Sequence, residues 1–236
     1  MDEQLTFEFC RRIFEKNEVN LSREQFEKLQ KYADLLIAES ARQNVTAVRT
    51  RAEIWVRHFL DSAYLLRFLN DSSDVLDMGT GGGIPAIPLA IMNPTLRITM
   101  LDSELRKIEF CEKVIAALDL TANAICGRAE ELAQNETYRG QFDFVVSRAM
   151  AAGSMLSELS VPFLRVGGSL LAMKGRQYDP EFERFSQAAE KLLCSVDAPI
   201  PYSIESEQKY LILVRKLDDT PSQYPRRFAK IKRNPL

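Results

Sequence analysis

The feature that most constrains this chain is a cluster of glycines, Gly79-Thr80-Gly81-Gly82-Gly83, entered from the apolar segment Val75-Leu76-Asp77-Met78 and left through Ile84-Pro85. A short buried strand that runs into such a cluster must turn sharply into the next element. Glycines permit the positive backbone angles of the turn and let the main chain come close to a ligand. Pro85 suits a first helical turn, where its missing N–H would go unpaired anyway. Strand, tight turn and helix in this order make a cofactor-facing edge.

Two ligands compete for that edge, beside the plain alternative of a glycine turn that holds nothing. Gly81-x-Gly83-x-x-Ala86 satisfies a relaxed dinucleotide pattern, with Asp102 about twenty residues further on as the acid for a ribose. Asp77 separates the two. A carboxylate there repels a pyrophosphate, whereas S-adenosylmethionine has no phosphate and carries an amino cation and a sulfonium, so charge complementarity favours the methyl donor. Asp102 ends the second strand, Arg97 to Leu101, at the sheet's carboxyl edge, where its two oxygens suit two ribose hydroxyls. It equally suits the cap of a helix starting near Glu104. Gly127-Arg128-Ala129-Glu130-Glu131 comes after the third strand, a position fit for contacts to adenine or for an ordinary charged helix start.

With 236 residues, 46% of them hydrophobic, the chain can bury a full core. It contains no uncharged apolar run long enough to span a bilayer, and its start, Met1-Asp2-Glu3-Gln4, is acidic where an export signal is basic. A cytoplasmic protein with no membrane partner is expected, and a monomer. The four cysteines are widely spaced and there is one histidine, His58, so neither a disulfide framework nor a His/Cys metal site can be assembled. A net charge of −2 gives no global attraction to nucleic acid, so any RNA contact needs a local basic patch.

Residues 1–72 read as helical. Ser22 with Gln25 forms a capping-box signature, succeeded by Phe26, Leu29, Ala33, Leu36 and Ile37 on one face. A second amphipathic stretch runs from Ile54 through Phe68 and stops at the turn-forming Asn70-Asp71-Ser72-Ser73. From 73 to 236 short apolar runs alternate with helix-length segments, the pattern of βαβ units and a mainly parallel α/β sheet. Strands are expected at Val75–Met78, Arg97–Leu101, Ala122–Cys126, Phe142–Val146, Ser169–Met173 and Tyr210–Val214. Helices fit Ala86–Met92, Glu104–Leu118 and Met150–Phe163.

Eight motifs follow one another along the chain: Asn44-Val45-Thr46-Ala47-Val48, Trp55 to Ser62, the glycine loop with Ile84 to Leu89, Leu101-Asp102-Ser103, Gly127 to Glu130, Ser147-Arg148-Ala149, Leu171 to Gly175, and Tyr224-Pro225-Arg226-Arg227. Together they resemble one family, the bacterial 16S ribosomal RNA guanine-N7 methyltransferases, also called the glucose-inhibited division protein B family. The resemblance runs from about Leu21 to Leu236. It implies a class I methyltransferase fold, Rossmann-like and doubly wound, with an N-terminal helical extension. It also implies S-adenosylmethionine as cofactor and a guanine in the 530 loop of 16S ribosomal RNA (guanine 527) as target. By the same likeness Gly79, Ile84, Ala129, Glu130 and Arg148 fall on cofactor-binding positions, joining Asp77, Gly81 and Asp102 from the residue reading. Three departures stand out: Ala86 where glycine is usual, Val166 where proline precedes Gly167-Gly168, and Phe228-Ala229 where Pro-Gly is usual.

Guanine N7 carries a lone pair and no proton, so methylating it needs alignment and no general base. No catalytic acid–base residue is therefore expected. Ser147-Arg148-Ala149-Met150 stands where amino-directed methyltransferases resemble one another in an (Asp/Asn)-Pro-Pro-aromatic motif. Arg148 and Lys174 are candidate positioning residues. Arg148 can hold the cofactor, donate to guanine O6, or pair with a neighbouring carboxylate. His58 suits a hydrogen-bonded structural role. The acid-free tail, with Arg226, Arg227, Lys230, Lys232 and Arg233 beside Tyr224 and Phe228, is the expected RNA arm, supplemented by Arg42, Arg49, Arg51 and Arg57. A nicotinamide oxidoreductase and a non-catalytic RNA-binding protein on the same fold remain the competing functions.

Overall fold

The computed structural model describes residues 5–42, 48, 50–148, 150, 152–175 and 179–236. Asn44 to Ala47, Arg49 and Ala149, which belong to the motifs and arginines named from the sequence, lie outside them.

The N-terminal segment is helical, as its periodicity predicts. Helix α1 spans Phe7–Lys16 and α2 spans Arg23–Ser40. The Ser22 capping box forms, with the Gln25 N–H donating to Ser22 Oγ (3.1 Å) and the Ser22 N–H to Gln25 Oε1 (2.8 Å). Leu29, Ala33 and Leu36 are buried, and so is Tyr32 on the same face. The second stretch is one rod of changing pitch: α3 (Arg51–Ile54), a π-helical turn (Trp55–Leu60), α4 (Asp61–Ala63) and a 3-10 turn (Tyr64–Arg67). Such π-turns often mark functional sites. Phe14, Phe26 and Phe59 pack around Trp55 with ring centroids 5.2 to 5.8 Å apart.

Among the described residues eight strands form one sheet: β1 (Asp74–Met78), β2 (Arg97–Asp102), β3 (Ala122–Cys126), β4 (Phe142–Arg148), β5 (Leu164–Lys174), β6 (Cys194–Val196), β7 (Ile200–Ile204) and β8 (Glu207–Lys216). Their order is β3-β2-β1-β4-β5-β8-β6, with β7 also on β8. The first five are mutually parallel and β8 runs antiparallel to β5. The chain reverses its direction of winding between β1 and β4, the switch point at which such sheets open a crevice for ligand.

Side chains alternate between two cores. Val75, Ile98, Met100, Val146 and Leu171 meet the N-terminal segment, α5 (Ala86–Met92) and α6 (Leu105–Leu118). Leu76, Met78, Val145, Leu170 and Ala172 meet α8 (Gly153–Ser160) and α9 (Asp179–Lys191), with α7 (Ala129–Leu132) at their margin. Apolar side chains of the N-terminal helices are thus continuous with one face of the sheet, and Gln25 Nε2 docks α2 on the Met92 carbonyl (3.0 Å).

The differences from the sequence expectation have local causes. Pro85 is the N-cap of α5 rather than part of its first turn. The helix expected over Met150–Phe163 starts at Gly153 and tightens at Pro162 into a 3-10 turn, Val161–Phe163. β6 and β7 are two pieces of one edge pairing with β8, interrupted around Pro199. The basic tail is a folded helix, α10 (Phe228–Arg233), seated by the buried Ile231. No helix among the described residues is long and apolar enough to cross a membrane.

Candidate active site

The glycine loop leaves β1 at the carboxyl edge of the sheet, and the N–H groups of Gly79 and Thr80 both donate to the Leu101 carbonyl of β2 (2.9 and 3.0 Å). Gly81 has φ +57, and a β-carbon built there meets nothing within 4 Å. Its backbone therefore borders open space while adopting a conformation that side chains resist. The opposite side of the loop is closed: the Tyr32 hydroxyl, fully buried on α2, donates to the Gly82 carbonyl at 2.6 Å. Ile84 is buried behind the loop, its N–H on the Thr80 carbonyl (3.1 Å).

Asp77 is fully buried beneath the loop. Its Oδ2 accepts from Thr80 Oγ1 (2.6 Å) and from the Ala86 N–H (3.3 Å), whereas among the described residues Oδ1 has no partner. Burial pushes this carboxyl up to about 7, against the opposite pull of the Thr80 hydroxyl and the Ala86 amide. A half-satisfied buried carboxyl beside an accessible glycine loop asks for a donor or a cation.

Asp102 closes β2 next to it. Its Oδ2 accepts from the Gly81 N–H (3.0 Å) and stands 3.7 Å from Lys107 Nζ, and its Oδ1 accepts from the Glu104 N–H (3.0 Å). Both roles foreseen for this residue are thus compatible: it caps the turn into α6, and a carboxylate's remaining lone pairs stay available to hydroxyls. Ala129 and Glu130 open α7 just after β3, both half-buried, with Arg128 as N-cap.

Arg148 ends β4. Its Nη1 donates to the Arg57 carbonyl (2.8 Å), stands 3.0 Å from His58 Nδ1 and lies 3.6 Å from Asp61 Oδ2. It ties the N-terminal rod to the sheet's ligand edge, the neighbouring-carboxylate alternative in structural form. Burial, reinforced by the Arg148 charge, drives His58 down to about 3, so the ring is neutral and Nδ1 accepts from Arg148. Lys174 ends β5, with its ammonium 5.6 Å from the Phe185 ring centroid.

The basic tail divides into two parts. Arg226 is turned inward: its Nε and Nη2 donate to Glu158 Oε1 and Oε2 (2.7 and 2.6 Å), and Glu158 is fully buried in α8. A buried carboxylate requires this partner, which gives Arg226 a packing role that the sequence does not announce. Arg227, Lys230, Lys232 and Arg233 are exposed along α10 and its N-cap. Arg128 lies 5.9 Å over the Phe228 ring, so the helix sits beside the loop after β3. Of the N-terminal arginines, Arg51 pairs with Asp34, and Arg57 pairs with Glu207 (2.7 Å) and stands 4.0 Å from Glu53.

Sequence reading does not single out Tyr32, Glu158, Tyr202 or Lys209. Tyr32 shares the apolar stripe of α2, and its helical spacing alone gives a signal, though one that reads as core. The other three act across long sequence separations.

A family model described as rRNA small subunit methyltransferase G matches residues 25–209. Two proteins of that description are similar over most of their length. The Leuconostoc citreum protein is 35% identical over 224 residues, 92% of this chain and 94% of that one. A Thermoanaerobacter protein is 37% identical over 217 residues, 89% and 90% of the two chains. The crystal structure of M. jannaschii TYW2 in complex with AdoMet superposes with a TM-score of 0.52 at 14% identity, covering 86% of this chain and 80% of that chain, which shows that the two share a mainly parallel α/β fold.

Proposed function

Given that the chain belongs to the rRNA small subunit methyltransferase G family, we propose that it transfers a methyl group from S-adenosylmethionine to N7 of a guanine in the 530 loop of 16S ribosomal RNA, at guanine 527. The observation that carries the cofactor half of this reading is Asp77: a fully buried carboxyl with one oxygen unpartnered among the described residues, beside a loop whose Gly81 borders open space. A cationic amine satisfies that oxygen and a pyrophosphate repels it, which disfavours a nicotinamide dinucleotide. Asp102 takes the ribose hydroxyls, Gly79, Gly81 and Ile84 shape the wall of the cleft, and Ala129 with Glu130 borders the adenine.

Bound there, S-adenosylmethionine supplies an electrophilic methyl group on sulfur. The protein's part is to align an unprotonated ring nitrogen with it and to exclude water, which takes no general base. His58, neutral and engaged with Arg148, fits that requirement. Methyl transfer from labelled donor to undermethylated small-subunit RNA, with nucleoside analysis of the product, should give 7-methylguanosine. Label on an exocyclic amine or on carbon rejects the assignment, and no transfer at all favours a non-catalytic RNA-binding protein.

Proton linkage gives a second expectation. Asp77 titrates near 3.8 in the unfolded chain and near 7 in the folded one. Between those values the folded state holds a proton that the unfolded state has released, so stability without ligand falls as pH rises from about 4 to about 7 and levels off above. A cationic ligand beside Asp77 demands the carboxylate instead. Affinity for S-adenosylhomocysteine, which keeps the amino cation, is therefore expected to weaken below pH 7, by up to about tenfold per unit. Asp77→Asn should flatten the profile in calorimetric titrations from pH 5.5 to 8, and a flat wild-type profile would contradict the assignment.

Arg227, Lys230, Lys232 and Arg233 form the proposed RNA-phosphate contacts. Replacing all four by alanine is expected to reduce the slope of log K against log salt by up to about 3, leaving donor affinity intact. Loss of donor affinity, or an unchanged slope, would remove α10 from the RNA interface.

A further inference from the structure

Beside the glycine loop lies a cavity of about 430 Å³ lined by Asp61, Arg148, Met150, Lys174, Tyr202 and Lys209, together with Met173 and Gly175. It adjoins the loop through Met150, whose Sδ is 3.1 Å from where a β-carbon on Gly79 would stand. Its size is that of small-ligand sites generally. The walls come from the N-terminal rod, the ends of β4 and β5, and the β7–β8 pair.

Asp61, only 2% exposed, is the hub of this cavity. Its Oδ1 accepts from the Tyr202 hydroxyl (3.0 Å), and its Oδ2 accepts from Lys209 Nζ (2.9 Å) and faces Arg148 Nη1 at 3.6 Å. Tyr202 is itself fixed by a parallel stack on Tyr64, with ring centroids 4.0 Å apart. Arg148, Lys174 and Lys209 thus share with one acid a space that also has methionine surfaces. Arg148 Nη1 is engaged by the Arg57 carbonyl and His58. Arg148 is thereby held as a fixed planar fork, whereas Lys209 carries three rotatable N–H donors, of which the ion pair with Asp61 uses one.

We propose that this cavity receives the target base and that Lys209, aligned by Asp61, is its specificity-determining contact, donating to the carbonyl oxygen at the six-position of a purine while N7 stays free. The ammonium has donors only, so it matches guanine O6 and opposes the amino group that adenine presents at that position. Met150 and Met173 offer polarizable apolar surfaces to the ring faces. Asp61 and Tyr202 are positioning residues that act through Lys209. The inference rests on the guanine-N7 reading and adds to it the residue that recognises the base.

The test uses the full chain with small-subunit RNA carrying guanine, inosine or 2-aminopurine at the target position. Inosine keeps O6 and N7, whereas 2-aminopurine keeps N7 and loses O6. Wild-type protein should methylate guanine and inosine alike and 2-aminopurine poorly. Lys209→Met should lower kcat/KM on guanine roughly 10- to 100-fold, the worth of one hydrogen bond to a charged donor, and abolish the preference over 2-aminopurine. Lys209→Arg should retain the preference. Because Lys209→Met removes a partner of buried Asp61, the paired variant Asp61→Asn with Lys209→Met is measured beside it, and should show the same lost preference with the fold intact. In every variant the affinity for S-adenosylhomocysteine should stay at the wild-type value. Equal losses on guanine and 2-aminopurine, or a fall in donor affinity, would overturn the proposal. Wild-type label appearing anywhere other than N7 would instead overturn the underlying reading before any variant is compared.

Discussion

Arg226→Ala is expected to lower the melting temperature by about 6–20 °C, corresponding to about 3–5 kcal/mol, the usual cost of stripping one partner from a buried ion pair. Glu158 is fully buried, and both its carboxylate oxygens accept from the Arg226 side chain. The variant keeps the residue 226 N–H donating to Oε1 (2.9 Å), but the charge is left uncompensated. Adding Glu158→Gln should recover most of the loss, since a neutral amide tolerates the site without a cation. Thermal unfolding of the two variants decides the matter, and an Arg226→Ala protein that melts with the wild type would refute the account. The same geometry makes Arg226 a poor probe of RNA binding, because any loss would mix with unfolding.

Gly81→Val is expected to eliminate detectable binding of S-adenosylhomocysteine. The added side chain projects into the space along which the ligand approaches the main chain, and φ +57 is strained for a β-branched residue by about 1–3 kcal/mol. Two effects are then separable in one thermal-shift experiment. The free variant should melt somewhat below the wild type, and the added stability of about 2.7 kcal/mol that ligand confers at a hundred times its dissociation constant should vanish. A variant that still responds to ligand like the wild type would place the cofactor elsewhere, and a response to NADH in place of S-adenosylhomocysteine would revive the dinucleotide alternative.

The parts of the site written in short stretches of chain are readable before any coordinates exist. Asp77 and Asp102 close parallel strands whose apolar runs and adjoining turns announce them, and Ser22 with Gln25 predicts the start of α2. Long-range pairings leave no such trace. Asp61 and Tyr202 are 141 residues apart, and Tyr202 lies on a five-residue edge strand whose alternation of Ile200, Tyr202 and Ile204 is disguised by Pro199 and Pro201, residues that argue against a strand. Arg226 has the composition of a nucleic-acid contact and the environment of a core ion pair, and only the burial of Glu158, 68 positions earlier, distinguishes them. α9 is a different case: Phe185, Ala188 and Ala189 have helical spacing, but they sit in a charged stretch without the short apolar runs that announce the strands.

The bond from the Tyr32 hydroxyl to the Gly82 carbonyl makes the glycine motif something other than a portable cassette. Severed at residue 72, the sheet would keep every glycine and both acids but lose the phenol that braces the turn from behind, leaving a carbonyl without its donor and an oily face open to water. Transplanting the motif into another parallel sheet would import the sequence without its brace.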